Sequence, residues 1–134
     1  MTTQRQQQVP QGFQGSLPEW ITFDTLTTRF GKVPDMDFTF QSPLLGGRLE
    51  RGGVVIDFLF TNPPDLAINI QGAFFHLEQG AGVIARDRMA RAQLAGAGIT
   101  LIFIDEQDVL SDPVRYVGAA LNYQDLSFLG GLGG

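Results

Sequence analysis

The sequence predicts one α/β domain with a mixed sheet of about four strands flanked by helices, in the order αβββαβα. Its 134 residues suit a single domain. Three stretches with strand character follow one helical stretch, and a second helical stretch separates them from a fourth strand. Short connections favour hairpins among the first three strands, whereas a strand, helix, strand order favours a parallel right-handed crossover.

The domain itself is predicted to span residues 16–126, between two segments of biased composition. Residues 1–15 are rich in Gln and poor in apolar side chains, and residues 127–134 are rich in Gly. Such segments bury too little apolar surface to offset the entropy lost on ordering. We therefore expect a flexible arm before the domain and a flexible tail after it.

The first helix is predicted over residues 16–30. Ser16 suits the N-cap, and Glu19 three residues later completes a capping box. Gly31 provides a C-terminal stop. The large side chains between these ends recur at helical spacing and predict the buried face: Trp20, Phe23, Leu26 and Phe30.

Three strands are expected next, over residues 37–44, 54–60 and 66–72. The first alternates in polarity, and the second is a run of apolar residues interrupted by Asp57. Paired glycines mark a turn-prone stretch between these two strands, and a pair of prolines ends the second.

The second half of the chain begins with an Ala- and Arg-rich helix, predicted over residues 83–97 and closed by Gly98. A buried strand is expected over 99–104. Residues 105–110 predict a short helix or turn, and residues 113–121 predict a last helix that starts at a proline.

Composition excludes several classes of protein. The absence of Cys rules out disulfides and thiolate metal sites. No apolar run approaches the length that a bilayer requires, so we expect a soluble, cytoplasmic protein with no membrane partner. A net charge of −5 is unlike the basic surface of non-specific nucleic-acid binders.

Any contact with nucleic acid must therefore be local and made by Arg, because the chain has a single lysine. Arg48 and Arg51 lie in one predicted loop, and Arg86, Arg88 and Arg91 lie on one predicted helix. The alternative interpretation of both groups is a solvated, charged face without a ligand.

A compact polar pocket is predicted where the second and third strands meet. Asp57 is a costly residue inside an apolar strand unless it has a partner or a task. Asn69 and Gln71 share one face of the next strand by its two-residue period. Nucleases use a pocket of this kind to hold a divalent metal ion that polarises a phosphodiester and activates water.

The stretch from Gly53 to Phe103 carries short motifs at characteristic spacing: IDF at 56–58, INIQG at 68–72, His76, a helix from Asp87 through Leu94 to Gly98, and LIFI at 101–104. In these motifs the chain resembles the PD-(D/E)XK nuclease superfamily, and within it the very-short-patch-repair endonucleases and small bacterial and phage proteins related to them. The likeness covers about half the chain, or most of it if the helix with Glu19 matches the first helix of the family. It implies a restriction-endonuclease-like core.

The resemblance also implies roles for single residues. Asp57 stands at the position of the first metal-binding acid, Asn69 at that of a Glu, and Gln71 at that of an Asp, Glu or Lys. The family's chemistry would then require Mg²⁺ and another carboxylate, which Glu19 or Glu78 would supply. His76 would assist the leaving group or bind phosphate, and Asp87 would face the pocket: the catalytic candidates are thus Asp57, Asn69, Gln71, Glu19, His76 and Asp87.

Each of these residues has a structural alternative. Glu19 is the residue that a capping box requires, and His76, between two apolar residues, suits a hydrogen-bonded structural histidine. Asp87 would also favour a helix start through the helix dipole. Asn69 and Gln71 would satisfy each other and Asp57 through hydrogen bonds.

Two functional hypotheses follow. One is a Mg²⁺-dependent DNA endonuclease of the repair or junction-resolving type, with Asp57 and Glu19 or Glu78 as metal ligands. The other is a non-catalytic or weakly active descendant without a cofactor. Such a protein would associate with nucleic acid or with the proteins of a phage assembly or virion, reached through the terminal arms.

Overall fold

The computed structural model describes residues 8–40, 50–51, 54–72 and 80–128. The helices and strands in these ranges are α1 (Leu17–Thr28), β1 (Phe38–Phe40), β2 (Glu50–Arg51), β3 (Val54–Val55), β4 (Phe58–Phe60), β5 (Leu66–Gln71), α2 (Gly80–Gly96), β6 (Thr100–Asp105), α3 (Glu106–Ser111) and α4 (Pro113–Leu121).

Four of the strands form one mixed sheet in the order β1, β4, β5, β6. β4 pairs antiparallel with both β1 and β5, whereas β5 and β6 are parallel and joined through α2. β2 and β3 form a separate antiparallel pair. The prediction of a mixed α/β domain with a four-stranded sheet flanked by helices is confirmed, as is the parallel crossover.

The two faces of the sheet bury two apolar clusters, because successive strand residues point to opposite faces. Phe58, Ile68 and Ile102 are paired across three strands, and they face α1, α3 and α4. Ala67 and Leu101, paired in the same way, face α2, where Leu94 is fully buried. Helices therefore cover the sheet on both sides.

The prediction of one continuous strand over residues 54–60 is wrong. The chain leaves the strand conformation at Ile56 and Asp57, so that β3 and β4 belong to different sheets. Apolar character is the same on both sides of this break and gives no sign of a change of partner. Asp57, which interrupts the apolar run, marks the point where the chain bends.

Helix α1 begins and ends where its sequence signals predict. Ser16 is the N-cap of a complete capping box with Glu19. At the other end Gly31 has a φ of +66°, and the next residue, Lys32, donates its N–H to the carbonyl of Leu26 at 2.9 Å. A glycine adopts this left-handed conformation without the steric cost that a Cβ would add.

The packed part of the chain reaches beyond residues 16–126 at both ends. Phe13, in the segment predicted as an arm, stacks on Phe40 with ring centroids 5.2 Å apart. It also meets Trp20 and Phe23 edge to face. Ser127, in the segment predicted as a tail, is buried. Of the helices that the structure describes, none is long and apolar enough to cross a membrane.

Candidate functional site

Asp57 lies at the entrance to β4, beside β5. Phe58 is paired with Ile68, so Asp57 comes opposite Asn69. The Asp57 carboxylate accepts a hydrogen bond from the N–H of Ile70 through Oδ2 at 2.9 Å, and the Asp57 N–H donates to Asn69 Oδ1 at 2.8 Å. Side chains thus replace backbone groups where the regular ladder stops.

The Asn69 side chain uses both ends of its amide on the neighbouring backbone. Besides accepting from Asp57, it donates through Nδ2 to the carbonyl of Val55 at 3.0 Å. These two bonds hold the chain on either side of Ile56, at the bend between β3 and β4. Asn69 therefore fixes the shape of the segment that carries Asp57.

Gln71 is buried, two residues further along the same face of β5. Its Nε2 donates to Asp87 Oδ2 at 2.6 Å. Asp87 is the eighth residue of α2, well beyond the first turn, so the helix-dipole interpretation of this residue is wrong. The predicted alternative, that Asp87 faces the polar residues of the sheet, is confirmed.

Glu19 has two neighbours of different kinds. Its Oε1 accepts the N–H of Ser16 at 2.7 Å, and its own N–H donates to Ser16 Oγ at 3.3 Å, which completes the capping box. Its carboxylate is also close enough to Asp57 to act on that group electrostatically. Glu19 is therefore both a helix-capping residue and the second acid of the candidate site.

Burial raises the pKa of Asp57 from 3.8 to about 7. The hydrogen bond from the Ile70 N–H opposes this effect, and the negative charge of Glu19 adds to it. A group of this pKa is close to half protonated at neutral pH. Asp57 is thus a buried acid that can hold or release a proton in the physiological range.

The described residues do not supply the charged ligands that a magnesium site needs. No group of three or more His, Asp or Glu side chains in the described ranges is arranged to hold a metal ion. Both amide ends of Asn69 are bonded to backbone, and the amide nitrogen of Gln71 is bonded to Asp87. Two predicted site residues, His76 and Glu78, lie outside the described residues.

The arginines proposed to bind nucleic acid have different surroundings. Arg88 is exposed on α2. Arg91 instead forms an ion pair with Asp125, with Nη2 and Oδ2 2.9 Å apart, and its guanidinium lies over the ring of Phe103. Arg48 and the side chains of Arg51 and Arg86 lie outside the described part of the chain.

Asp125 is a polar centre that sequence reasoning missed. Its carboxylate accepts hydrogen bonds from Arg91, from the N–H of Phe103 and from both the N–H and the hydroxyl of Ser127. The local signal was the Asp-x-Ser pattern, because an Asp side chain often accepts the N–H two residues on. Its contacts with Arg91 and Phe103 span 34 and 22 residues and leave no local signal.

Comparison of the chain with protein-family models, with curated proteins and with solved structures finds no match. What the site can do follows from its own residues. It holds two acids, Asp57 and Glu19, in electrostatic contact, and two amides, Asn69 and Gln71, that are bonded within the fold. Such a set suits a structural polar network that retains one titratable proton.

Replacing Ser16 with Ala is expected to lower the free energy of unfolding by about 1 kcal/mol, because the Glu19 N–H loses its acceptor. Urea denaturation measures this change. Ser111→Ala in α3 is the matched control, since that exposed hydroxyl bonds only the carbonyl of Asp108 within its own turn. Equal losses in the two variants would contradict a capping role for Ser16.

Proposed function

We propose that this protein is a restriction-endonuclease-like domain that no longer cleaves DNA and acts as a binding scaffold within a protein assembly. The order α1, β1, β4, β5, α2, β6 supports the endonuclease-like core. So does the position of the polar residues, with Asp57 at the start of one central strand and Asn69 and Gln71 on the next.

The bonding of Asn69 carries the proposal that cleavage has been lost. A Glu at this position would accept the Asp57 N–H but would have no hydrogen to donate to the carbonyl of Val55. An amide satisfies both backbone groups at the bend. The residue at the expected position of a metal-binding carboxylate therefore serves the backbone.

The remaining donors fit Mg²⁺ poorly. Mg²⁺ is held in proteins by carboxylates and keeps a strict octahedral geometry. Asp57 is close to half protonated at neutral pH, and the amide nitrogen of Gln71 is directed to Asp87. The cost of burying Asp57 is met here by hydrogen bonds and a proton, which does not require a metal ion.

Charge favours a protein partner over nucleic acid. The whole chain carries a net charge of −5, and phosphate binding depends on neutralising cations. Arg91, one of the candidate cations, is occupied by Asp125 at 2.9 Å, and both side chains are largely buried. A phosphate at this position would have to displace an existing ion pair.

A cleavage assay tests the loss of activity. We expect wild-type protein to leave supercoiled plasmid, mismatched duplex and four-way-junction DNA intact in Mg²⁺ or Mn²⁺. Asn69→Glu is then expected to gain Mn²⁺ binding, measured by calorimetry without DNA. Asn69→Gln is its matched control, because it adds the same length without charge. Cleavage by the wild type that disappears in Asp57→Ala would overturn the proposal.

The contact between Glu19 and Asp57 favours a second candidate, an active Mg²⁺-dependent endonuclease in which Glu19 replaces the missing carboxylate. This function requires cleavage to be lost in Glu19→Gln as well as in Asp57→Ala. Ser16→Ala separates the two roles of Glu19, because it weakens the helix cap and keeps the carboxylate. If Ser16→Ala and Glu19→Gln lowered cleavage equally, the effect would be one of stability.

A further inference from the structure

Strand β6 forms one edge of the four-stranded sheet. The N–H of Thr100 donates to the carbonyl of Asp65 at 2.9 Å, on the side of β5. Backbone groups alternate in direction along a strand, so the N–H groups of Leu101, Phe103 and Asp105 point away from the sheet. These outward groups are what a further strand would pair with.

The composition of β6 makes this edge prone to pairing. Four consecutive residues, Leu101 to Ile104, are apolar and buried, and the strand contains no Pro, Lys or Arg. Natural sheets protect such an edge with charges, bulges or a covering segment. Here the protection has to come from outside the strand.

Residues Asp125–Phe128, which we call the edge clasp, lie against the outward side of β6. Asp125 Oδ2 accepts the outward N–H of Phe103 at 3.1 Å and Arg91 Nη2 of α2 at 2.9 Å. In return the N–H of Phe128 donates to Asp105 Oδ2 at 2.8 Å. The clasp is held to β6 by carboxylates and has no strand pairing with it.

The clasp is also ordered within itself. Asp125 Oδ1 accepts both the N–H and the hydroxyl of Ser127, which is 3% exposed. Each of these bonds passes through a carboxylate, either that of Asp125 or that of Asp105. Removing the Asp125 carboxylate would uncover the Phe103 N–H and break the ion pair with Arg91.

We infer that the edge clasp keeps this protein monomeric by blocking the pairing of β6 with β6 of a second copy. A second copy is the fitting occupant, because a strand edge on a twofold axis pairs antiparallel with itself and satisfies the same groups on both sides. Six residues are long enough for a regular ladder. The inference does not depend on the lost cleavage activity.

Asp125→Ala tests this role in the full chain. Light scattering is expected to show a monomer for the wild type and concentration-dependent dimers for the variant. In dilute variant, amide hydrogen exchange at Phe103 should be about tenfold or more faster than in the wild type, because a bond to a charged acceptor is lost. At high concentration the outward amides of β6 should become protected again, while those of Ile102 and Ile104 stay unchanged.

Asp112→Ala is the matched control, because it also removes one carboxylate, that of the N-cap of α4, and lies away from β6. It should remain monomeric. If Asp125→Ala does not fold, Asp125→Asn replaces it, since the isosteric amide weakens the clasp by losing the ion pair. A folded variant that stays monomeric, or a wild type that already dimerises through β6, would overturn the inference.

Discussion

Replacing Asp57 with Asn is expected to remove most of the pH dependence of stability that this site causes. Burial and the nearby charge of Glu19 raise the pKa of Asp57 to about 7 in the folded protein, from 3.8. The folded state therefore binds the proton more tightly than the unfolded state. By linkage, this stabilisation is fully present below about pH 4 and is lost as the pH rises through about 7.

The size of the effect follows from the same pKa values. The difference between 3.8 and about 7 corresponds to about 4 kcal/mol of unfolding free energy. The asparagine side chain in Asp57→Asn would still accept the Ile70 N–H through its amide oxygen and would carry no charge at any pH. The variant should thus be more stable than the wild type at about pH 8, and similar or less stable at about pH 5.

Urea denaturation of both proteins at these two pH values gives the measurement. Asp65→Asn is the control, because it removes one exposed carboxylate at a positive φ that Asn tolerates. That variant should follow the wild-type pH profile. If Asp57→Asn lost stability with pH as steeply as the wild type, Asp57 would not be the buried acid described here.

Local signals in the sequence were sufficient for the helices and most strands. Helix α1 has a capping box at Ser16 and a left-handed glycine at Gly31, and the structure uses both. Helix α4 occupies the predicted residues 113–121. Such ends depend on a few neighbouring residues, so they can be recognised without knowledge of the tertiary fold.

The bend at Asp57 could not be predicted because it depends on partners that are distant in sequence. The bonds that stabilise it come from Asn69 and Ile70, 12 and 13 residues away. Hydrophobic periodicity records which residues are buried and gives no information on which sheet buries them. The same limit explains why the ion pair of Arg91 with Asp125 was missed.

The candidate site was predicted in its membership and less well in its bonding. Asp57, Asn69 and Gln71 do lie on adjacent strands, as the two-residue period required. The predicted bond between the two amides is replaced by one from Gln71 to Asp87, because α2 covers that face of the sheet. Only the position of α2 decides this choice, and its start at Gly80 was placed three residues too late.

Replacing Asn69 with Ala is expected to be among the most destabilising changes in the polar site. The change removes the acceptor of the Asp57 N–H and the donor to the Val55 carbonyl in one step. A buried backbone group without a partner costs about 1–3 kcal/mol, and Asn69 is only half-buried, so water would relieve part of the cost. We expect a loss of about 3 kcal/mol in the free energy of unfolding.

Asn69→Asp separates the two bonds. Asp keeps an acceptor for the Asp57 N–H, loses the donor to Val55, and adds a negative charge beside Asp57. Its loss of stability should therefore be larger at about pH 8 than at about pH 5, because the added carboxylate and Asp57 are then both ionised. Urea denaturation at both pH values measures this difference, whereas Asn69→Ala has no added charge to produce it. Stability within about 0.5 kcal/mol of the wild type for Asn69→Ala would show that the bend does not need this amide, and the position would then be free for a metal-binding role.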